Sequence, residues 1–201
     1  MSRSRGPELP PGRRLFVAVP TPPAVRDAVA ELVVSVRAAG DPDRRDVRWV
    51  RLDGLHLTLR FLGPTEEEGI PGAVAAVDRA AAGMPPFDVA IGGAGAFPSV
   101  ARPRALWLGV TAGVADLGAA ARTLDDRLAE AGWPRDDRPY RPHLTLARSD
   151  GVRAGPEVAR RLIAAAAPFE MSFRAGSLIL FESISGGGPA RYEPIHEARL
   201  G

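Results

Sequence analysis

Apolar and polar positions predict a strand and then a helix near the start of the chain. The run RLFVAV (14–19) is continuously apolar after its first residue, which predicts a short buried strand. Apolar residues then recur at helical spacing from Val25 to Val36. The predicted helix has Thr21 as its N-cap and Gly40 as its stop signal.

The pattern then switches to alternation and back to helical spacing. HLTLRFLG (56–63) alternates polar and apolar positions, as a half-buried strand does. The next helix is predicted to begin at Thr65, which forms a capping-box pattern with Glu68, and to end near Ala82. FDVAIGGAGAFP (87–98) predicts a strand that gives way to a glycine-rich turn.

The same order of elements recurs in the second half. The elements predicted there are a strand at 105–110, a helix at 113–131, the strand HLTLAR (143–148), a helix at 156–166, and strands in FEMSFRAG, SLILFES and YEPIHEARL. This recurrence predicts a duplicated unit over about 14–98 and 105–198. We therefore expect an α+β fold in which residues 13–201 form one bilobal domain. Each lobe should carry an antiparallel or mixed sheet with helices on its outer face, and a pseudo-twofold axis should relate the lobes across a cleft.

Composition narrows the classes of site and partner. The chain has 201 residues, 45% of them hydrophobic, and no cysteine, which excludes disulfides, thiolate nucleophiles and cysteine-based metal sites. The formal net charge is +2, although arginines cluster at 44–51 and 135–148, as solvated faces or as anion sites. Residues 1–12 have the composition of a disordered tail, and no stretch approaches 18 apolar residues. We expect a cytoplasmic protein.

Two of the three histidines open nearly identical strands. In the first strand, alternation places one polar face opposite one apolar face, with His56, Thr58 and Arg60 on the former and Leu57, Leu59 and Phe61 on the latter. In the second strand, His143 and Thr145 share a face opposite two leucines. If a pseudo-twofold axis relates the strands, both polar faces converge on one cleft.

Two imidazoles around one space suit a reaction that removes a proton at one end and donates one at the other. Threonine hydroxyls can donate to phosphoryl oxygens, and displacement at phosphorus depends mainly on positioning and charge stabilisation. The pattern therefore predicts attack of water on a phosphodiester without a metal. A single His-x-Thr is more often structural. The repetition of the motif favours a functional role, because core packing would account for the repeated leucines but not for the repeated histidines.

Metal binding is the main chemical alternative. Two histidines could ligate zinc, but a catalytic site usually has three protein ligands, and neither motif has a nearby acidic residue at useful spacing. The third histidine, His196, is expected to be an ordinary residue of a C-terminal strand. We therefore expect no metal and no cofactor.

The paired motifs and their context resemble the two-histidine (2H) phosphoesterase superfamily, and in particular the RNA 2′,3′-cyclic phosphodiesterases, which are 2′-5′ RNA ligase-like. The resemblance covers roughly 14–198 and rests on RLFVAVP, WVRLDGLHLTLRFLG, PRALWLGV, RPYRPHLTLAR, LILFES and YEPIHEARL. It implies hydrolysis of a 2′,3′-cyclic phosphate to a 2′-phosphate, and it leaves reverse 2′-5′ ligation open. It also implies His56 as general acid and His143 as general base, with Thr58 and Thr145 holding the non-bridging oxygens.

The resemblance gives roles to two further residues that alternation places on the wrong face. It implies that Phe61 stacks on a nucleobase and that Arg148 contacts the phosphate or a base. Strict alternation puts both side chains opposite the histidines. Either each strand bends or ends before them, or the two residues are structural. Tyr140 and Arg141, just before the second motif, are further candidates to line the cleft.

Two classes of function remain open. The first is an enzyme acting on RNA 2′,3′-cyclic phosphate ends or small cyclic nucleotides, and the second is a non-catalytic RNA-end-binding module. The intact histidines favour the enzyme, because arginine would serve mere phosphate binding better than a neutral imidazole. We expect no membrane, no obligate protein partner and, by default, a monomer.

Overall fold

The computed structural model describes residues 12–40, 46–186 and 188–201. Within these ranges the fold is α+β, as expected, with four α-helices and one nine-stranded sheet. The predicted tail lies outside the described residues except for Gly12, as do Arg44 and Arg45 of the first arginine cluster. Among the helices described, none is long and apolar enough to span a membrane.

The described elements follow the predicted order, with one strand added. The strands are β1 (Arg13–Pro20), β2 (Val47–Trp49), β3 (His56–Thr65), β4 (Phe87–Phe97), β5 (Ala105–Ala112), β6 (His143–Ser149), β7 (Glu170–Ala175), β8 (Ser177–Ile184) and β9 (Arg191–Arg199). The helices are α1 (Pro23–Ala38), α2 (Ile70–Ala81), α3 (Val114–Glu130) and α4 (Gly155–Ala165). The short strand β2 was not predicted.

Two predicted helix caps are wrong. The N-cap of α1 is Pro22, while the buried Thr21 hydroxyl donates to the Leu55 carbonyl oxygen at 2.8 Å and ties the start of α1 to the segment before β3. Thr65 is the last residue of β3, and a 3-10 turn at Glu67–Gly69 separates it from α2. The Thr21 hydroxyl is thus engaged by Leu55 and not by α1, whereas Thr65 lies too far before α2 to cap it.

The glycine-rich segment of β4 remains a strand instead of becoming a turn. Its pairing with β5 continues as far as Phe97, which is opposite Ala105. The register shifts between Gly92 and Ala94, and Gly93 between them has a φ of 64°. A left-handed glycine of this kind accommodates a β-bulge, so the strand bends and continues.

All strand pairs in the described sheet are antiparallel, in the order β7-β4-β5-β6-β3-β1-β8-β9, with β2 paired to β6. Outward from the β3–β6 contact, the strands β6, β5, β4 and β7 on one side match β3, β1, β8 and β9 on the other. This symmetry corresponds to the expected pseudo-twofold axis. Each half of the sheet takes strands from both halves of the sequence, because β4 lies beside β5 and β8 lies beside β1. By position, β4 therefore corresponds to β8 and not to the FEMSFRAG strand β7, with which it pairs.

The leucines of both HLTL motifs anchor their strands in one hydrophobic core. Leu57, Leu59, Leu144 and Leu146 are at most 5% exposed and belong to a single cluster with the buried faces of all four helices. Helices α2 and α3 pack against each other, with α3 also on β3, while α1 and α4 form a second pair beside β7 and β4. The helices thus cover the leucine side and leave the histidine side free.

Each HLTL strand carries a bulge at the same place. In β3 the register slips by one residue between Thr58 and Arg60, so that Leu59 is an extra residue against β1. In β6 the same slip occurs between Thr145 and Ala147, against β5. A bulge moves every residue after it to the opposite face of the sheet.

The bulges overturn the predicted orientation of three side chains. Arg60, expected beside His56, is buried on the helix side with 9% exposure. Phe61 and Arg148, expected opposite the histidines, instead line the same cavity as them. Strict alternation therefore fails after the fourth residue of each motif, and the strands bend as the resemblance required.

Buried Arg60 joins the β3 bulge to α3. Its Nε donates to Asp125 Oδ1 at 2.7 Å, and its guanidinium also donates to the carbonyl oxygens of Phe61 and Pro134. The side chains of Arg60 and Asp125 are only 10% and 16% exposed. This ion pair therefore holds the exit of β3 in the orientation that presents Phe61.

Replacing Asp125 by Asn should lower the free energy of unfolding by about 2 kcal/mol, because it removes the closer of two carboxylates beside a mostly buried guanidinium and leaves only Asp136, 3.8 Å away. Asp126→Asn is the matched control: this next residue on α3 is 55% exposed, pairs with Arg135 and should cost under about 1 kcal/mol. Urea denaturation compares the two variants. An equal loss in both would contradict the special role of the buried pair.

Candidate active site

A cavity of about 660 Å³ lies on the face of the sheet that carries the histidines. It brings together the six side chains singled out in the sequence, namely His56, Thr58 and Phe61 from β3 and His143, Thr145 and Arg148 from β6. Both halves of the sheet therefore contribute the same kinds of residue to one space.

The convergence follows from how β3 and β6 meet. The two strands are antiparallel neighbours whose contact centres on Leu57 opposite Leu144. Around such a pair, an antiparallel register sets the histidine of each strand across from the threonine of the other. The site is thus built on the seam between the two halves of the sheet.

Backbone carbonyls hold both imidazoles in the same way. His56 Nδ1 donates to the Gly54 carbonyl oxygen and His143 Nδ1 donates to the Arg141 carbonyl oxygen, each at 2.7 Å. Because a carbonyl only accepts, the proton of each neutral ring lies on Nδ1. Nε2 is then the nitrogen that each ring offers for chemistry.

His56 lies among aromatic rings at the deeper end of the cavity. Its ring is 4.7 Å from that of Phe16 and 4.9 Å, edge to face, from that of Tyr192. A Cβ on Gly54 would come within 2.9 Å of the Tyr192 ring, so the close approach requires glycine. The turn before β3 therefore positions both the acceptor for His56 and the tyrosine beside it.

His143 has a more open setting. Its ring meets that of Phe97 edge to face at 5.0 Å, and Trp107 lies further away at 6.4 Å. Its hydrogen bond to Arg141 is exposed, whereas that of His56 is partly buried. The two imidazoles occupy equivalent positions in the sheet, but His143 is more accessible to water than His56.

Burial keeps both imidazoles neutral. The pKa of His56 is lowered to about 4, mainly by burial and in part by positive charge on His143, against the opposing effect of the Gly54 carbonyl. Burial also lowers the pKa of His143, and the positive charge of Arg148 acts in the same direction. The two rings and the guanidinium of Arg148 line the same cavity.

The cavity is positive and has no carboxylate among the described residues that line it. Arg14, Arg48 and Arg148 contribute to its wall, and none of them has an acidic partner within the described ranges. The indole Nε1 of Trp49 is buried without a hydrogen-bond partner there. Such a set of unpaired donors suits an anion.

His196 lies apart from this site. It belongs to β9, as expected, and its Nε2 is 2.6 Å from Asp78 Oδ1 on α2. In the part of the chain that the structure describes, no three His, Cys, Asp or Glu residues are grouped so that they could hold a metal ion. A third ligand beside His56 and His143 is therefore not found among those residues.

Tyr140 and Arg141 line a second cavity of about 1020 Å³, next to the first. The two cavities share Thr58, Phe61 and His143. The sequence candidates just before the second motif therefore border the site from the His143 side, although they do not line the cavity that holds both histidines.

Sequence reasoning missed several residues of the wall. Phe16 lies within the apolar run RLFVAV, where no polar alternation marks a functional face. Tyr192 and Trp49 stand in segments that contributed only to the overall resemblance. Arg48 belongs to the arginine cluster at 44–51, and its position favours the anion-binding interpretation for that residue.

The fold and sequence match known proteins. A family model described as the 2'-5' RNA ligase superfamily matches residues 20–186. The RNA 2',3'-cyclic phosphodiesterase of Escherichia coli K12 is 30% identical over 185 residues, covering 91% of this chain and 94% of that protein. The protein of the same name from Methanothermobacter thermautotrophicus is 33% identical over 140 residues, covering 70% and 73%.

Solved structures agree. E. coli LigT complexed with 3'-AMP has a TM-score of 0.73 and 29% identity, with 94% of this chain and 98% of that chain covered. TT0787 of Thermus thermophilus has a TM-score of 0.74 and 28% identity, with 93% and 97% covered. The chain therefore belongs to the 2′-5′ RNA ligase superfamily of two-histidine phosphoesterases.

Proposed function

We propose that this protein hydrolyses 2′,3′-cyclic phosphate ends of RNA to 2′-phosphomonoesters, with His56 and His143 as an acid–base pair and without a metal ion. The observation that carries the proposal is the convergence of both His-x-Thr motifs on one positive cavity. The relatives named RNA 2',3'-cyclic phosphodiesterase support the same class of reaction.

The reaction needs one proton accepted and one proton given. Nε2 of one imidazole takes a proton from water as the water oxygen attacks phosphorus. The bond from phosphorus to the 3′ oxygen breaks, and Nε2–H of the other imidazole protonates that oxygen. The products are a 2′-phosphomonoester and a free 3′-hydroxyl, and the proton has moved in effect from one histidine to the other.

The setting of each ring supports His143 as the base and His56 as the acid. His143 is the more accessible ring, so attacking water reaches it first. His56 lies among Phe16 and Tyr192, where a nucleoside can pack beside its 3′ oxygen. The low pKa of His56 opposes the acid role in the free protein. The anionic phosphate must therefore raise this pKa on binding.

The other site residues have binding roles in this proposal. Thr58 and Thr145 donate to the two non-bridging oxygens, and Arg148 neutralises charge at the phosphate. Phe61, which is 52% exposed at the mouth of the cavity, offers a face on which a base can stack. Ligation, in which an RNA 5′-hydroxyl takes the place of water, would use the same groups.

The direct test is hydrolysis of a short RNA ending in a 2′,3′-cyclic phosphate, with EDTA present. Wild type should yield only the 2′-phosphate, while His56→Ala and His143→Ala should each lose on the order of 10²–10⁴-fold in rate. His196→Ala, on β9, is the matched control and should keep full activity. Loss of activity with EDTA would overturn the metal-free proposal. Tight binding without turnover would favour the RNA-end-binding module.

A sulfur analogue in the same assay assigns the two roles. When sulfur replaces the 3′ oxygen, the leaving thiolate needs no protonation, so the variant lacking the acid regains most of its activity. We expect rescue of His56→Ala and none of His143→Ala. The opposite pattern would exchange the roles and leave the pair intact.

The lowered pKa values predict an acidic optimum for kcat/KM. Below about pH 4 both rings are protonated and the base is lost, whereas above the lowered pKa of His143 both rings are neutral and the acid is lost. The profile should be bell-shaped with its maximum below the usual histidine value of about 6.5. Rates from about pH 3.5 to 8.5, with circular dichroism to check folding, measure it. A flat profile would contradict the paired imidazoles, and a maximum above about pH 7 would contradict the lowered pKa values.

A further inference from the structure

The second cavity is a groove between α3, the middle of β3 and the segment that leads into β6, hereafter the α3 groove. Its residues include Arg122 from α3, Tyr140 and Arg141 from the segment before β6, and Phe97 from β4. At about 1020 Å³ it is larger than the 660 Å³ cavity that holds both histidines. The two cavities adjoin at Thr58, Phe61 and His143, which line both of them.

The arginines of the α3 groove fall into two groups, those with an acidic partner and those without one. Arg60, Arg135 and Arg138 are paired with Asp125, Asp126 and Asp136 at 2.7, 2.5 and 2.7 Å. By contrast, Arg122 and Arg141 have no acidic partner among the residues that the structure describes. The paired arginines balance the aspartates, so the free positive charge of the groove comes from these two side chains.

Tyr140 adds an unused polar group. Its hydroxyl is buried and has no hydrogen-bond partner in the described structure, and burial raises its pKa. The side chain therefore remains a neutral phenol at any physiological pH. A buried donor without a partner is costly unless a ligand or water satisfies it.

We propose that the α3 groove binds the RNA strand on the 5′ side of the cyclic phosphate, so that the preferred substrate is a single-stranded RNA end and not a free cyclic mononucleotide. This inference rests on the proposed function. A 2′,3′-cyclic phosphate closes the 3′ end of its strand, so the only continuation of the substrate is on the 5′ side. The strand must leave the first cavity, and the α3 groove adjoins that cavity at three shared residues.

The groove has the chemistry that a single strand requires. Arg122 and Arg141 supply positive charge for backbone phosphates, and the Tyr140 hydroxyl can donate to a sugar or phosphate oxygen. Phe61 stands at the junction of the two cavities and is half exposed. A base that is already paired and stacked within a duplex cannot stack on Phe61, so this contact favours single-stranded RNA.

The test compares adenosine 2′,3′-cyclic phosphate with a hexaribonucleotide ending in 2′,3′-cyclic phosphate. Arg122→Ala should lower kcat/KM for the hexanucleotide on the order of tenfold, as expected for one lost charge-assisted contact. The mononucleotide should be hydrolysed at the wild-type rate. For the hexanucleotide, the slope of log kcat/KM against log salt should fall by about 0.7 per lost phosphate contact. Tyr140→Phe should weaken the same substrate alone.

Arg199→Ala is the matched control, because it removes one arginine on β9 that lines neither cavity. It should leave both substrates unaffected. Equal loss on both substrates with Arg122→Ala, no loss on either, or a loss confined to ligation of a 5′-hydroxyl strand would each overturn the proposal.

Failure of the proposed function has a separate signature. Wild type would then leave both the hexanucleotide and adenosine 2′,3′-cyclic phosphate unhydrolysed. In that case the groove is judged by fluorescence anisotropy of a labelled hexanucleotide, with about tenfold weaker binding by Arg122→Ala supporting it. Equal binding by wild type and Arg122→Ala would refute it.

Discussion

The functional site depends on the backbone contact between β3 and β6. Leu57 opposite Leu144 joins the two halves of the sheet, and the leucines on either side anchor both strands in the core beneath. Since side chains alternate, burying the leucines turns the histidines and threonines towards the opposite face. Matching bulges then bring Phe61 and Arg148 onto that face as well. One packing constraint thus orients two copies of the same motif.

Once the rings face one cavity, their protonation is decided by desolvation. His56 and His143 each keep a carbonyl acceptor at Nδ1, but among the described residues of the wall neither faces a carboxylate that would stabilise the charged form. The unpaired arginines of the wall add positive charge, which favours an anionic ligand and further disfavours an imidazolium. In the proposed reaction, an incoming phosphate reverses that balance. Both imidazoles are therefore neutral in the free protein.

The sequence predicted the elements and the convergence of the two motifs, because hydrophobic periodicity and a close repeat are local signals. It failed where structure depends on pairing between distant segments. Nothing in HLTLRF distinguishes a bulged strand from a regular one, so Arg60 and Phe61 were assigned to the wrong faces. The exchange of β4 and β8 between the halves of the sheet also arises from tertiary pairing. Phe16 reaches the site through the pairing of β1 with β3, and Tyr192 through the pairing of β9 with β8.

The most direct measurement of the central claim is a double-mutant cycle on kcat/KM with His56→Ala, His143→Ala and the double variant. If the two imidazoles serve one transition state as a pair, loss of the second should cost little once the first is gone, and the double variant should resemble the weaker single variant. If instead the double variant lost activity by the product of the two single-variant losses, the two imidazoles would contribute independently. That result would contradict a site in which one phosphate is handled jointly by both halves of the sheet.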